Sequence, residues 1–150
     1  VGKKAYNAIK QKSYDLSYVA KGSTMVMVSI EVDKATIAHV GDSRCYLQDK
    51  VGLLYQTEIH VRIDFGWEIV SRCFFSYHPK SLFPTSGCSP FKKGDRFLLC
   101  SDGLYKSMAS DILQAGMFDD KPLEEILDEF DSICRKQCDD NYTAILIEIE

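Results

Sequence analysis

The 150-residue chain has no hydrophobic run long enough to cross a bilayer; its longest, Thr24 to Ile30, is far too short. It has no Cys-x-x-Cys pair with the spacing that holds zinc, so its six cysteines do not form a metal-binding knuckle. Nothing at its front resembles a signal peptide, and the cysteines do not sit as a disulfide framework would place them. Cys45 and Cys100 fall inside apolar runs, Cys73 and Cys88 stand alone, and Cys134 and Cys138 share a helix-like face that suits core packing. Together these predict reduced thiols in a cytoplasmic protein. Basic residues are scattered, with no stripe interleaved with aromatics, and the net charge is −4, which predicts neither nucleic acid nor a membrane as partner. There is no internal repeat and no low-complexity linker. Gly2-Lys3 lacks the spacing of a phosphate loop. Asp64-Phe65-Gly66 spells a kinase metal motif, but no glycine-rich loop, strand lysine or His-Arg-Asp segment accompanies it, so it is read as chance.

What is present is ordinary globular material: 45% hydrophobic and 27% charged residues, enough for one domain with a real core. A helical pattern runs from Val1 to about Ala20 and breaks at Lys21-Gly22-Ser23. Met25 to Val32, Ala35 to Val40, Arg44 to Gln48 and Leu53 to Gln56 read as strands. The very short connections predict an antiparallel meander, because a parallel crossover needs a longer link. Glu68 to Phe75 is taken as a short helix ended by Tyr77-His78-Pro79. Ser81 to Cys88 and Arg96 to Cys100 are strands, and Lys92-Lys93-Gly94-Asp95 is a turn. Leu104 to Met117 is broken helix, and Pro122 to Gln137 is a stronger one with Leu123, Ile126, Leu127, Phe130 and Ile133 on one face. Asn141 to Glu150 closes the chain as a strand. The expected class is α+β, antiparallel sheets covered by helices.

Three acidic motifs sit where strands begin or end: Gly41-Asp42-Ser43-Arg44, Ser101-Asp102-Gly103-Leu104 and Asp139-Asp140-Asn141-Tyr142-Thr143. A carboxylate at the end of a buried strand is held rigidly, and several such ends can converge on one cleft. Converging carboxylates repel one another unless a hard cation neutralises them, the usual origin of an oxygen-ligand Mg²⁺ or Mn²⁺ site. Asp42, Asp102 and Asp140 are the carboxylates so placed, with a helix cap as the rival role for Asp102 and an exposed turn for Asp140. Asp139 is expected to be solvated. Asp42 is expected to satisfy turn amides or support the site in a Gly-Asp hairpin, and Arg44 to pair with a carboxylate inside the fold. His39 reads as a hydrogen-bonded core histidine, and His60 and His78 carry no ligand pattern.

These residues, in this order, resemble the protein phosphatase 2C family of metal-dependent serine/threonine phosphatases. The resemblance rests on Gly22-Ser23-Thr24, on Ala38 to Arg44 with Tyr46-Leu47 as the family's central hairpin, on Lys93 to Leu104, and on Asp140-Asn141-Tyr142-Thr143 before an apolar strand. It covers Gly22 to Glu150 and about the C-terminal two-thirds of such a domain, with the N-terminal part lacking. It implies a four-layer α-β-β-α sandwich, two Mn²⁺ or Mg²⁺ ions, a metal-activated water as nucleophile, and a phosphorylated protein as substrate of a monomeric enzyme. It places Asp102 and Asp140 at metal-ligating positions, supported by Asp42, Asn141, Arg44 and Gly103. The family's bridging aspartate and phosphate-binding arginine lie upstream of the matched region, and no Asp-Gly-His occurs here. Ile59, in Thr57-Glu58-Ile59-His60, stands where members commonly carry an aspartate. The rival implied by these departures is a phosphatase-like binding or scaffold module without catalysis. Against it, a decaying site has no reason to keep clustered carboxylates, which are unfavourable when unneutralised.

Overall fold

The computed structural model describes residues 2–15, 21–76 and 84–150. The chain enters as helix α1 (Gly2–Asp15) and the short strand β1 (Gly22–Ser23). It continues through β2 (Met25–Ile30), β3 (Lys34–Val40), β4 (Arg44–Gln48), β5 (Leu53–Gln56), β6 (Val61–Asp64), β7 (Trp67–Val70), β8 (Phe74–Phe75), β9 (Thr85–Pro90) and β10 (Arg96–Cys100). Three helices follow, α2 (Asp102–Lys106), α3 (Ser110–Met117) and α4 (Leu123–Gln137), and β11 (Ala144–Glu148) ends the fold. Two antiparallel sheets dominate: a four-stranded one in the order β11-β10-β4-β5 and a three-stranded one in the order β2-β3-β9. Two small ladders, β1-β8 and β6-β7, complete the pairing.

Period-2 alternation assigns each face of the central strands. Leu98 stands opposite Tyr46 on one neighbour and Leu146 on the other, and all three point into a core with Leu104, Leu113, Met117, Ile126 and Phe130 of the helices. Phe97 and Leu99 point the other way, with Cys45 and Leu47, into a second core shared with Ala35 and Ile37 of the three-stranded sheet. Strand β10 is therefore covered on both faces, which is why Phe97-Leu98-Leu99-Cys100 reads as an unbroken apolar run. The expected α+β class and packed antiparallel sheets with flanking helices are what the chain forms.

Two local expectations are corrected. The connection from β3 to β4 is not a hairpin of one meander; β3 and β4 belong to different sheets, and the chain changes layer at Gly41-Asp42-Ser43. Gly41 adopts φ +103°, open to glycine at little strain, and a Cβ there would lie 2.3 Å from Thr24 Cγ2. Nor is Glu68 to Phe75 a helix. Asp64 pairs with Trp67 across a two-residue turn in which Phe65 (φ 48°) and Gly66 (φ 84°) are both left-handed, the primed geometry that suits a tight hairpin. So Asp64-Phe65-Gly66 is turn chemistry, and the stretch expected as a helix divides between β7 of this hairpin and β8. The remaining shifts are at boundaries: α1 is described only to Asp15, and β9 begins at Thr85. The expected Tyr77-His78-Pro79 stop lies outside the described residues.

Candidate metal-binding pocket

Neighbouring strand ends position the acidic motifs: Asp102 follows the C-terminal end of β10, and Asp139-Asp140 precede the N-terminal end of its antiparallel partner β11. Ser101 follows β10, and its amide donates to the Thr143 carbonyl (3.1 Å) while Thr143 N–H donates to Ser101 Oγ (3.0 Å). This reciprocal pair fastens the start of α2 to the loop before β11. Gly103 permits the approach: a Cβ there would sit 2.4 Å from the Asn141 carbonyl oxygen and 3.2 Å from Cys138 Sγ. Cys138 Sγ donates toward the Gly103 and Asp140 carbonyls at 3.1 and 3.0 Å. The outcome is one pocket of about 370 Å³ lined by Asp102, Gly103, Lys106, Cys138, Asp139 and Asp140.

Asp102 does not cap its helix. Ser101 is the capping residue and makes no side-chain cap bond, while Asp102 Oδ2 lies 3.1 Å from Lys106 Nζ, one turn on. The same ammonium lies 3.1 Å from Glu68 Oε2 on β7. Asp140 is exposed, and its Oδ1 accepts the Asn141 N–H at 2.7 Å. Asp139 is exposed on the same rim, as expected. The Asp42 carbonyl accepts a hydrogen bond from Tyr105 Oη (3.0 Å), tying the sheet crossover to α2. Burial pushes the Asp42 carboxyl above its ordinary range, and the charge of Asp102 adds to the rise.

Arg44 departs from expectation. Among the described residues it makes no ion pair; Nη1 donates to Tyr46 Oη (3.2 Å), and its guanidinium lies 3.9 Å from the centre of the Tyr105 ring. Residue 44 shares the helix-side face of β4 with Tyr46, where aromatic surface rather than a carboxylate is within reach, so a ring face takes the charge. Among the described residues its buried Nε has no hydrogen-bond partner. His39 is the core histidine expected, 2% exposed with Nε2 donating to the Glu58 carbonyl (2.6 Å).

Two features escaped the sequence. Glu68 reaches Lys106, at the pocket's edge, only because its segment is a hairpin, and the local signal for that turn was Asp64-Phe65-Gly66. His60 is a structural latch: its Nδ1 accepts the Gly41 N–H (3.1 Å), its Nε2 bonds Thr85 Oγ1 (3.0 Å), and its ring stacks on His39 with centroids 4.7 Å apart. The spacing from Gly41-Asp42 to Thr57-Glu58-Ile59-His60 was its only signal. Thr57 is part of the same latch, exchanging bonds with the Cys45 backbone.

No family model matches the chain, and no curated protein matches it in sequence. Solved structures do. The serine/threonine phosphatase PstP of Mycobacterium tuberculosis superposes with a TM-score of 0.84 at 20% identity, over 97% of this chain and 68% of that one. The fold is that of a protein phosphatase 2C domain. The catalytic domain of PstP in complex with two manganese ions gives 0.81 at 19% identity over 97% and 67%, and the S. agalactiae serine/threonine phosphatase gives 0.83 at 21% over 97% and 68%. The chain spans about two thirds of these phosphatase 2C domains.

The pocket can be tested against the metals of such a domain. Asp102 and Asp140 lie on one rim, and a site surrounded by Asp102, Asp139 and Asp140 would repel a phosphate unless cations intervened. Yet among the described residues no three His, Cys, Asp or Glu side chains form a group that could hold an ion. Lys106 already satisfies Asp102 and Glu68, and Asn141 satisfies one oxygen of Asp140. As arranged, these residues do not complete a two-metal centre.

Proposed function

We propose that these 150 residues are a single, partial catalytic domain of a metal-dependent protein serine/threonine phosphatase, cytoplasmic and monomeric, that acts on phosphorylated proteins. In this reading Asp102 and Asp140 are two ligands of a binuclear Mn²⁺ or Mg²⁺ site whose bound water is the nucleophile, and Asp42, Asn141, Arg44 and Gly103 support it. The observation that carries the proposal is the juxtaposition of Asp102 and Asp140 on one pocket, made by the Ser101–Thr143 bonds and the Gly103 contact, in a fold shared with a phosphatase that binds two manganese ions. An acidic pocket is unsuited to holding a phosphate directly and suited to holding it through cations. Gly103 supports the site by admitting the Asn141 loop, and Arg44 by bracing Tyr105, whose hydroxyl holds the Asp42 carbonyl.

The test is phosphate release from a phosphothreonine peptide by the full chain with Mn²⁺, with EDTA, and in Asp102→Asn and Asp140→Asn variants. Mn²⁺-dependent turnover is expected to fall in each variant by more than the roughly 10–100-fold that follows loss of a group merely supporting a metal ligand. No turnover from a folded protein across a range of Mn²⁺ would sink the proposal. The second reading, a non-catalytic phosphatase-like binding module, would then stand; the Lys106 ammonium on Asp102 favours it.

A further inference from the structure

The hairpin β6-β7 is a two-stranded ladder that, among the described residues, no third strand extends. It carries bulky apolar side chains into solvent: Ile63 is 68% exposed, Phe65 98% and Trp67 75%. Large apolar groups crowded on so short a segment mark a surface that a partner covers. The turn assigns its outer edge. A two-residue primed turn is closed by a hydrogen-bonded pair, here Asp64 and Trp67, and antiparallel alternation makes Arg62 and Ile69 the next such pair. The His60 carbonyl continues the series by accepting the Ser71 N–H at 2.8 Å. Val61 and Ile63 therefore turn their backbone N–H and C=O away from β7, along an edge with no proline, lysine or bulge to block pairing. The charges beside that edge select what can pair with it. Arg62 and Asp64 are exposed on one face of β6, 3.4 Å apart. A second β6 laid antiparallel about a two-fold axis at Ile63 sets Arg62 of each copy opposite Asp64 of the other, in the closely spaced positions that carry no ladder bonds. Ile63 then exchanges both backbone bonds with its counterpart, and the two Ile63 side chains meet on the other face. Trp67 and Ile69, the cross-strand neighbours of Asp64 and Arg62, flank the charge pairs. An axis at Arg62 or Asp64 would set like charges against each other, as would pairing through β7 about Glu68.

We propose that the outer edge of β6 is a self-pairing surface: a second copy of this chain adds its own β6 antiparallel, with Ile63 on the two-fold axis, to give a four-stranded sheet in the order β7-β6-β6-β7. The inference goes beyond the phosphatase reading and does not depend on it; the monomer of that reading is the dissociated form. An edge of four residues buries little area, so the pair is dissociable rather than obligate.

The experiment is sedimentation velocity of the full chain over a concentration series, with circular dichroism to verify folding. The unaltered chain is expected to shift from monomer toward dimer as its concentration rises. Arg62→Asp and Asp64→Arg each set like charges opposite one another twice, and each should weaken the dimer by roughly tenfold or more. An equimolar mixture of the two variants should recover it, because every facing pair is again of opposite sign. Bulk attraction does not imitate that recovery: each variant changes the net charge of −4 by two, to −6 and −2, and both remain negative. The double variant Arg62→Asp/Asp64→Arg should dimerise as the unaltered chain does. Ile63→Pro removes the outward donor, spares the ladder to β7, and should stay monomeric. A chain that is monomeric at every concentration would overturn the proposal. So would a dimer indifferent to Arg62→Asp, Asp64→Arg and Ile63→Pro, or a mixture of the two charge variants that stays monomeric. None of these results bears on the phosphatase reading, which turnover tests separately.

Discussion

Gly103 stands at the closest approach in the site, where the first turn of α2 passes the Asn141 carbonyl. A methyl group there meets backbone oxygen at 2.4 Å, and backbone cannot swing aside as a flexible side chain can. Gly103→Ala is expected to lower the unfolding free energy by about 1–3 kcal/mol, the usual range for overpacking, read from urea denaturation. It should also separate Asp102 from Asp140, because the displaced partner is the loop carrying Asp140. The candidate ligands were legible in the sequence because Ser-Asp-Gly and Asp-Asp-Asn occur at strand ends. What each carboxylate touches was not: Lys106 on Asp102 is a short-range helical pair, but Glu68 comes from a hairpin far away in sequence. Arg44 was misassigned because the sequence cannot say which face of β4 meets a tyrosine ring.

At the scale of elements, α4 shows the most direct passage from pattern to packing. Its apolar residues recur at helical spacing, Glu124 and Glu125 sit in its first turn and Arg135 and Lys136 in its last, all favourable to the helix dipole. Ile126, Phe130 and Cys134 are its buried stripe. Phe130 fills the space above Gly116 of α3, where a Cβ would lie 2.6 Å from its ring. Phe130→Ala is expected to cost about 3–5 kcal/mol, because the rigid helices around the ring collapse only partly into the space left. A fall in the thermal midpoint with the fold otherwise kept would check it; a change under about 1 kcal/mol would contradict this packing. The hairpin β6-β7 shows the opposite case. Ile63, Phe65 and Trp67 are exposed, so its alternating apolar residues report no buried face. The stronger signal was local, a glycine after an aspartate and one residue, which seats a left-handed turn.

At the scale of the whole molecule, His60 ties the layer-changing loop to β9 and to the segment after β5. Its ring nitrogen accepts the Gly41 amide, its backbone N–H donates to the Gly41 carbonyl (2.8 Å), and Arg72 Nη1 shares Thr85 Oγ1 with it. Burial, with help from His39 and Arg72, holds its pKa below the ordinary 6.5. The unfolded chain therefore binds a proton at His60 more readily than the folded one. This contribution to stability is complete above about pH 6.5 and is lost as pH falls from there through the depressed folded pKa. Protonation also destroys the acceptor that Gly41 uses. Unfolding free energies measured between pH 7.5 and 5 should decline with falling pH, and His60→Gln should flatten that decline; an unchanged slope would remove His60 as its source.

The sequence by itself determined the strands of the two main sheets, the turns at Asp49 and Gly94, the broken helix after Ser101, the amphipathic α4 and the acidic motifs at strand ends. These follow from periodicity and from residues whose backbone preferences act over a few positions. Only the tertiary structure decided that β3 and β4 part into separate sheets, that His60 latches the crossover, and that a hairpin carboxylate and a helix lysine meet at Asp102. Each of these depends on contacts between residues distant along the chain, which the burial of two cores selects and which no local pattern of side chains encodes.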